Sequence, residues 1–211
     1  PKAYLYGLPY ELYEKHGIRR YGFHGTSHKY VTQQVPKGRT VSCHLGNGCS
    51  ITASLKHKAI DTSMGFTPLE GIMMGTRSGS IDPAIIFHLK SLGYKLPEIE
   101  KMLLKESGFL GFTGISSDMR DIRDAAFKKK NKRALLALET FSYQIAKQVS
   151  AYIASLGGLD HLIFTAGIGT HADYVRDAVC KQLPLKLHKT KIHVIPTDES
   201  LQICKEANKI I

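Results

Sequence analysis

The longest regular pattern of apolar positions runs from Asn131 to Leu156, where Leu138, Phe141, Ile145, Val149, Tyr152 and Leu156 recur at steps of three or four. That spacing lays them along one stripe and predicts an amphipathic core helix, ended by Gly157-Gly158. A period of two appears after Ser50, with Ile51, Ala53 and Leu55 alternating against Thr52, Ser54 and Lys56. Thr40–Leu45 is a second β-type run, and Gly46-Asn47-Gly48 joins the two as a hairpin, with positive φ expected at both central positions of an Asn-Gly turn. His161–Ala166 reads as a buried strand, and Ile18–Phe23 and Lys191–Pro196 as further strands. Helices are predicted over Pro9–His16 (closed by Gly17), from a Thr26 or Ser27 cap to about Gln34, over Ala84–Ser91 and Leu96–Glu106, from Asp118 through Phe127, over Ala172–Gln182 and over Asp198–Ile210. Gly108–Gly114 reads as a break. Helices and strands alternate, so the class is α/β, and the hairpin makes the sheet mixed, with helices flanking it. A single domain is expected.

Composition narrows this picture. The 211 residues are 43% hydrophobic and 22% charged, as in ordinary globular chains, and no apolar run is long enough to span a bilayer, so no membrane partner is expected. The opening PKAYLYGLPYELYEK lacks a basic region followed by an apolar core, so no signal peptide is expected. The formal charge is +11. Lys and Arg are nevertheless scattered; the dense Lys128–Arg133 cluster reads as a solvated helix start, and a looser basic stretch runs from Lys186 to Lys191. No helix-turn-helix, RRM or zinc signature accompanies them, so no nucleic-acid partner is expected, and phosphorylated ligands or an acidic partner domain account for the excess. Cys43, Cys49, Cys180 and Cys204 lack metal-ligand spacing and read as reduced thiols of a cytoplasmic protein.

The candidate chemistry sits in loops. Thr62–Pro83 is rich in Gly, Ser, Thr and Met and carries one basic residue, Arg77, between Gly75-Thr76 and Ser78-Gly79. It is either a glycine-rich connection with a surface arginine or an ordered loop presenting a guanidinium to an anion; Met64, Phe66, Leu69, Ile72, Met73 and Met74 favour order. Asp82 is expected to cap the next helix, with Pro83 in its first position. His24 stands just ahead of a helix N-terminus, where free N–H groups and the helix dipole favour anions, although His24 and His28 could equally be ordinary loop and helix histidines. The Gly46-Asn47-Gly48 tip offers backbone N–H groups to a phosphate, or is a simple tight turn. Arg120 lies near a helix start, where a cation is disfavoured, so it has another role or faces solvent. Gly167-Ile168-Gly169 follows a strand and precedes a helix, the layout of a nucleotide-binding turn without the full GxGxxG.

Five stretches carry a resemblance to a known family: YGFHGTSHKYV at 21–31, CHLGNGCSITA at 43–53, DTSMGFTPLEGIMMGTRSGSIDPAII at 61–86, SSDMRDIRDAA at 116–126 and FTAGIG at 164–169. Together they resemble the acetate kinase family, of the acetate and sugar kinase/Hsp70/actin superfamily. The resemblance implies a ribonuclease-H-like, actin-like ATPase domain. It implies transfer of the ATP γ-phosphoryl group to acetate, giving ADP and acetyl phosphate, with Mg²⁺ as cofactor and a homodimer as the assembly. His24 and His44 match histidines near the transferring phosphoryl group, and Arg77 an arginine holding the acetyl or phosphoryl group. Gly46, Asn47 and Gly48 match the phosphate-binding turn. Phe23 and Pro68 match part of the acetate pocket. Asp118, Met119, Arg120, Gly167, Ile168 and Gly169 match the nucleotide-binding segments, and Glu199 a carboxylate that helps place Mg²⁺.

The resemblance further implies that residues 1–211 correspond to a C-terminal domain, with the N-terminal domain absent and supplied, for catalysis, by the same or a separate chain. Three departures accompany it. The N-terminal domain, with its own substrate and catalytic residues, is missing. Thr170-His171 replaces the usual Glu-Asn. The stretch between Val179 and Ile195 is short for the family, and Ser80 stands where Asp is usual. A non-catalytic nucleotide-binding remnant and a propionate or butyrate kinase are the competing readings.

Overall fold

The computed structural model describes residues 2–183 and 189–208. In chain order the elements are α1 (Tyr10–His16), α2 (Gly25–Gln33), β1 (Arg39–Leu45), β2 (Cys49–Leu55), β3 (Lys58–Thr62), α3 (Ala84–Ser91), α4 (Leu96–Lys105), α5 (Gly108–Thr113), α6 (Met119–Phe127), α7 (Lys132–Leu156), β4 (His161–Thr165), α8 (Ala166–His171), α9 (Asp173–Gln182), β5 (Lys191–Val194) and α10 (Glu199–Ala207). The sheet order is β3-β2-β1-β4-β5; β2 is antiparallel to β1 and β3, while β4 is parallel to β1 and β5. The mixed α/β sheet flanked by helices is therefore as the sequence pattern requires.

The two sheet faces differ in kind. Val41, Cys43, Leu45, Cys49, Ile51 and Ala53 point into the main apolar core, where Phe141, Ile145 and Val149 of α7 are fully buried. The alternate positions Thr40, Ser42, Ser50, Thr52 and Ser54 are polar and yet buried. α2 covers this face and α10 packs on α2, tied by an ion pair of 2.6 Å between Lys29 and Glu206. A hydroxyl on a strand face roofed by a helix is costly without a hydrogen-bond partner; Ser42, Ser50 and Thr52 have one, whereas Thr40 Oγ1 has none among the described residues. That cost shapes the site described below.

α7 begins at Asn131, whose side chain accepts from the Ala134 N–H, and stops where Gly157 takes φ 69°. α6 is capped by Asp118, which accepts from the Arg120 N–H. The Asp82 carboxylate accepts from the N–H of Ala84, the first residue of α3, and Pro83 before it already has helical φ −55° and ψ −26°.

Several expectations fail for identifiable reasons. Residues 18–23 form no strand: the Arg20 N–H goes to the Tyr4 carbonyl and those of Tyr21 and Gly22 both go to the Gly65 carbonyl, so no ladder forms. β3, unforeseen, takes the place beside β2 instead. Neither Thr26 nor Ser27 caps α2; the capping position is His24, at φ 59°, and the Ser27 hydroxyl is used elsewhere. None of Gly46, Asn47 and Gly48 has positive φ, because the connection is a three-residue turn closed by Gly46 N–H to the Gly48 carbonyl. GFLGFT is the short helix α5 and not a break. Gly167-Ile168-Gly169 lies within α8, so the turn after β4 is made by Ala166, at φ 62°. The C-terminal reach of the last helix to Ile210, and the basic residues at 186–188, lie outside the described residues.

The Thr62–Pro83 segment is ordered by backbone bonding and not by regular structure. Phe109 N–H donates to the Met74 carbonyl, Leu110 N–H to Gly75, Ser107 N–H to Thr76 and Ser78 N–H to Leu103. The start of α5 thus grips the loop just before Arg77, and α4 accepts from it just after. Two other clamps hold it: Gln144 of α7 accepts from the Met73 N–H at 2.7 Å, and Arg20 donates to the carbonyls of Thr62, Ser63 and Met64 while pairing with Glu70 at 2.6 Å. Burial of a loop backbone is tolerable only with this degree of satisfaction.

Candidate functional site

β1 and β4 are parallel neighbours, so their carboxyl ends open on one edge of the sheet, the position where α/β folds bind ligands. His44 lies at the end of β1 opposite Thr165 of β4, and the Gly46–Gly48 turn follows at once. The His24 and His44 rings stack with centroids 4.0 Å apart and planes 15° apart. A Cβ built on Gly48 would lie 3.4 Å from Arg77 Nη1 and 3.5 Å from His24 Nε2, which places the guanidinium and the imidazole against the same glycine. His24, His44, Gly46, Gly48 and Arg77 therefore form one cluster.

Arg77 is half-buried and has no carboxylate partner among the described residues; Nη1 donates to the Pro68 carbonyl at 3.0 Å and touches the Met74 sulfur at 3.6 Å. The histidines beside it are held neutral. Burial, then the Arg77 charge, lowers the His24 pKa, and burial followed by the repulsion of His24 lowers that of His44 to about 4. Buried His28 falls well below its usual value for the same first reason, with His44 and His24 contributing.

These shifts have a consequence for stability. The unfolded chain binds a proton at His44 near pH 6.5 and the folded chain only near about 4, so the unfolded state is the proton-richer one in between. Stability is full above the unfolded value and declines as pH falls through this window, by up to about 3 kcal/mol from His44 alone. His24 and His28 act in the same direction. Urea unfolding near pH 5 should show a lower midpoint than near pH 7.5, and His44→Asn should shrink that difference.

Asn47 links this cluster to a second feature. Its carbonyl accepts from the Gly75 N–H at 3.0 Å, and a Cβ on Gly75 would fall 1.8 Å from its Oδ1, so glycine at 75 is what lets the amide lie against the Arg77 loop. Asn47 also lines a cleft of about 650 Å³ with Asp118, Met119, Arg120, Gly167 and Ile168. Arg120 is largely exposed and grips its own helix cap, Asp118, at 2.5 Å, which lowers the carboxyl to about 2 through that hydrogen bond. The nucleotide-binding candidates are thus contiguous with the His-Arg cluster through one residue.

Three expectations separate from this picture. Gly169 does not line the cleft; it is buried, and a Cβ there would lie 3.3 Å from the Phe164 backbone, so it serves the packing of α8 on β4. Phe23 lines a cavity of about 260 Å³ beside His28 that Pro68 does not share; the Pro68 carbonyl accepts from Arg77. Glu199 is exposed in the first turn of α10, and no group of three or more potential metal-binding side chains occurs among the described residues. Sequence reasoning missed Arg123, His171 and Tyr174 as cleft walls, and Ser27, Ser42 and Ser50 as partners of the histidines. The serines leave a trace in the alternation of β1 and β2; the cleft walls leave none, because three separate helices, α6, α8 and α9, bring them together.

A mixed sheet in the order 3-2-1-4-5, with its cleft at the carboxyl ends of the central parallel strands, places the chain among the ribonuclease-H-like α/β domains. The chain belongs to the acetokinase family, whose model matches residues 1–201. It is 45% identical to the acetate kinase of Clostridium beijerinckii over 242 aligned positions, covering 100% of this chain and 60% of that protein. Among solved structures, acetate kinase from Porphyromonas gingivalis matches with a TM-score of 0.92 at 40% identity, over 99% of this chain and 60% of that one. A propionate kinase from Francisella tularensis matches with a TM-score of 0.91 at 42% identity, over 97% and 59%. The chain spans about three fifths of the length of these relatives. The aligned span also exceeds the 211 residues, so the bacterial relative carries extra residues inside the match. The shortened stretch between Val179 and Ile195 includes 184–188, outside the described residues.

No helix among the described residues is long and apolar enough to cross a membrane. The four cysteines are free, and burial pushes the Cys43 and Cys49 thiols up, the latter to about 12.

Proposed function

We propose that this chain is the C-terminal part of an acetate kinase, carrying one wall of a site that transfers the γ-phosphoryl group of ATP to acetate. The observation that carries the reading is Arg77: a half-buried guanidinium without a carboxylate partner among the described residues, set against the same turn glycine as neutral His24. An unpaired buried cation is costly unless an anion completes it, and an arginine fork suits a phosphoryl or carboxylate group. In the reaction a carboxylate oxygen of acetate attacks the γ-phosphorus in line as the bond to the β-phosphate oxygen breaks, leaving ADP and acetyl phosphate.

Arg77 would hold the anionic group in transfer, and His24 and His44 would donate neutral N–H bonds to its oxygens. Gly46, Asn47 and Gly48 would lie along the phosphates, with Asp118, Met119, Arg120, Gly167 and Ile168 on the adenosine side. Phe23 and Pro68 would border the acyl end. Mg²⁺, when bound, neutralises the polyphosphate. Glu199 offers one exposed carboxylate, which fits a cation that arrives on the nucleotide and keeps most of its waters. Free thiols support a cytoplasmic setting, and the family resemblance supports a homodimer.

The test is acetate-dependent ATP turnover by the chain with and without the remaining two fifths of the family's length, beside calorimetric titration with ADP. Turnover only in the completed protein, with ADP bound by both, is the expected result. ADP binding without turnover in the completed protein would leave a non-catalytic nucleotide-binding module, and no ADP binding, the outcome to which Thr170-His171 in place of Glu-Asn would contribute, a structural remnant. The propionate kinase match supports a second substrate reading, and kcat/KM for acetate against propionate and butyrate separates the acids.

A further inference from the structure

Four side chains form an unbroken hydrogen-bonded row beneath the site: Ser42 Oγ to His28 Nδ1 at 2.7 Å, His28 Nε2 to Ser50 Oγ at 2.7 Å, and Ser50 Oγ to His24 Nδ1 at 2.9 Å. Ser42, His28 and Ser50 are buried. Each hydroxyl has one proton, and each neutral imidazole has one N–H and one lone pair. Among the described residues the Ser42 hydroxyl has no hydrogen-bond partner besides His28.

Only one direction satisfies the whole row. If His24 donated from Nδ1 to Ser50, Ser50 would donate to His28 Nε2, and His28 would donate from Nδ1 to Ser42. The Ser42 proton would then be buried without an acceptor, which costs the full desolvation of that donor. If both rings donated to Ser50, the Ser50 proton would be stranded in the same way. In the opposite direction Ser42 donates to His28 Nδ1, His28 Nε2–H donates to Ser50, and Ser50 donates to His24 Nδ1. No proton is left over, and the proton of His24 is on Nε2, the atom beside Gly48 and Arg77.

We propose that the Ser42–His28–Ser50 row is a positioning device that fixes His24 as a neutral Nε2–H donor aimed at the ligand. His28 and Ser50 are positioning residues, touching no substrate themselves. The same accounting applies to His44, whose Nδ1 faces the buried Ser27 hydroxyl at 2.8 Å, so both stacked rings present Nε2–H. The titratable and charged groups facing His28 are His24 and His44, with Lys29 and His57 lining the small cavity beside it. The device gains its catalytic meaning from the phosphoryl-transfer reading, but the proton placement does not depend on it.

Long-range ¹H–¹⁵N correlation spectra of the imidazoles, taken at neutral pH on the 211-residue chain, test the placement directly. His24, His28 and His44 should each show a protonated Nε2 and an unprotonated Nδ1. A protonated Nδ1 on His24 or His28 overturns the proposal. In Ser50→Ala the His24 nitrogens should move toward the average of the two tautomers, while unchanged His24 shifts would show that Ser50 fixes nothing. In the completed enzyme Ser50→Ala should lower kcat about tenfold, a fraction of the roughly 10²–10³ that an oriented donor can supply, with little change in KM, and Ser50→Thr should restore it. If the tautomers are as stated and the completed wild-type protein has no turnover, the functional reading fails and the proton placement stands.

Discussion

Arg77→Ala is expected to lower kcat for acetate-dependent ATP turnover by about 10²–10³-fold, the usual cost of removing one preorganised donor from a developing anion. Two features make this the most damaging single change at the site. The guanidinium has no carboxylate partner among the described residues, so its charge is available to the ligand. Its neighbours His24 and His44 are held neutral by burial, so they cannot replace the lost charge. Arg77→Lys keeps the charge and loses the fork, and should fall between wild type and Arg77→Ala. Steady-state kinetics of the completed enzyme check the series. A kcat within threefold of wild type for Arg77→Ala would remove Arg77 from the transfer step. ADP affinity is expected to change little, because the cleft at Asp118 and Gly167 is reached through Asn47 and not through Arg77.

Gly108→Ala is expected to cost about 3 kcal/mol or more, at the severe end for a point change, because it combines backbone strain with a main-chain collision. Gly108 has φ 60°, and a Cβ there would fall 2.1 Å from the Met74 carbonyl oxygen and 2.9 Å from that of Arg77. Neither obstacle is a flexible side-chain end. The Met74 carbonyl accepts the Phe109 N–H, so relieving the collision pulls α5 off the Arg77 loop. Thermal and urea unfolding check the loss, and Gly167→Ala is the comparison: its Cβ meets nothing within 4 Å, at a helical position where alanine is mildly favoured. The Gly108 variant should therefore lose activity and stability together, whereas Arg77→Ala should retain most of its stability.

These two changes probe one loop from its functional and its structural side, and they show how differently the two sides were written in the sequence. That 61–83 is ordered and presents Arg77 could be argued from its apolar residues and its isolated basic residue. What holds it could not. Its clamps come from Arg20, Gln144 and the start of α5, all distant in sequence, and GFLGFT looks like a break until its N–H groups meet the loop carbonyls.

By itself the sequence determined the elements whose signals are local. The 3.6-residue stripe makes α7, the alternation makes β1 and β2, Asn131 and Asp118 cap their helices, and Gly157 ends one. It also determined which residue types are available for anion chemistry: one arginine among glycines, histidines at a helix start and at a strand end, and an asparagine in a turn. Only the tertiary structure decided how they combine. The parallel pairing of β1 with β4 brings the Asn47 turn to the same edge as Gly167, and the roofing of the polar sheet face by α2 turns Ser42, His28 and Ser50 into one row. The physical reason is common to both. Periodicity and capping report the bonds a residue makes within a few positions of itself, whereas burial, proton placement and the surroundings of Arg77 depend on what the rest of the chain brings alongside.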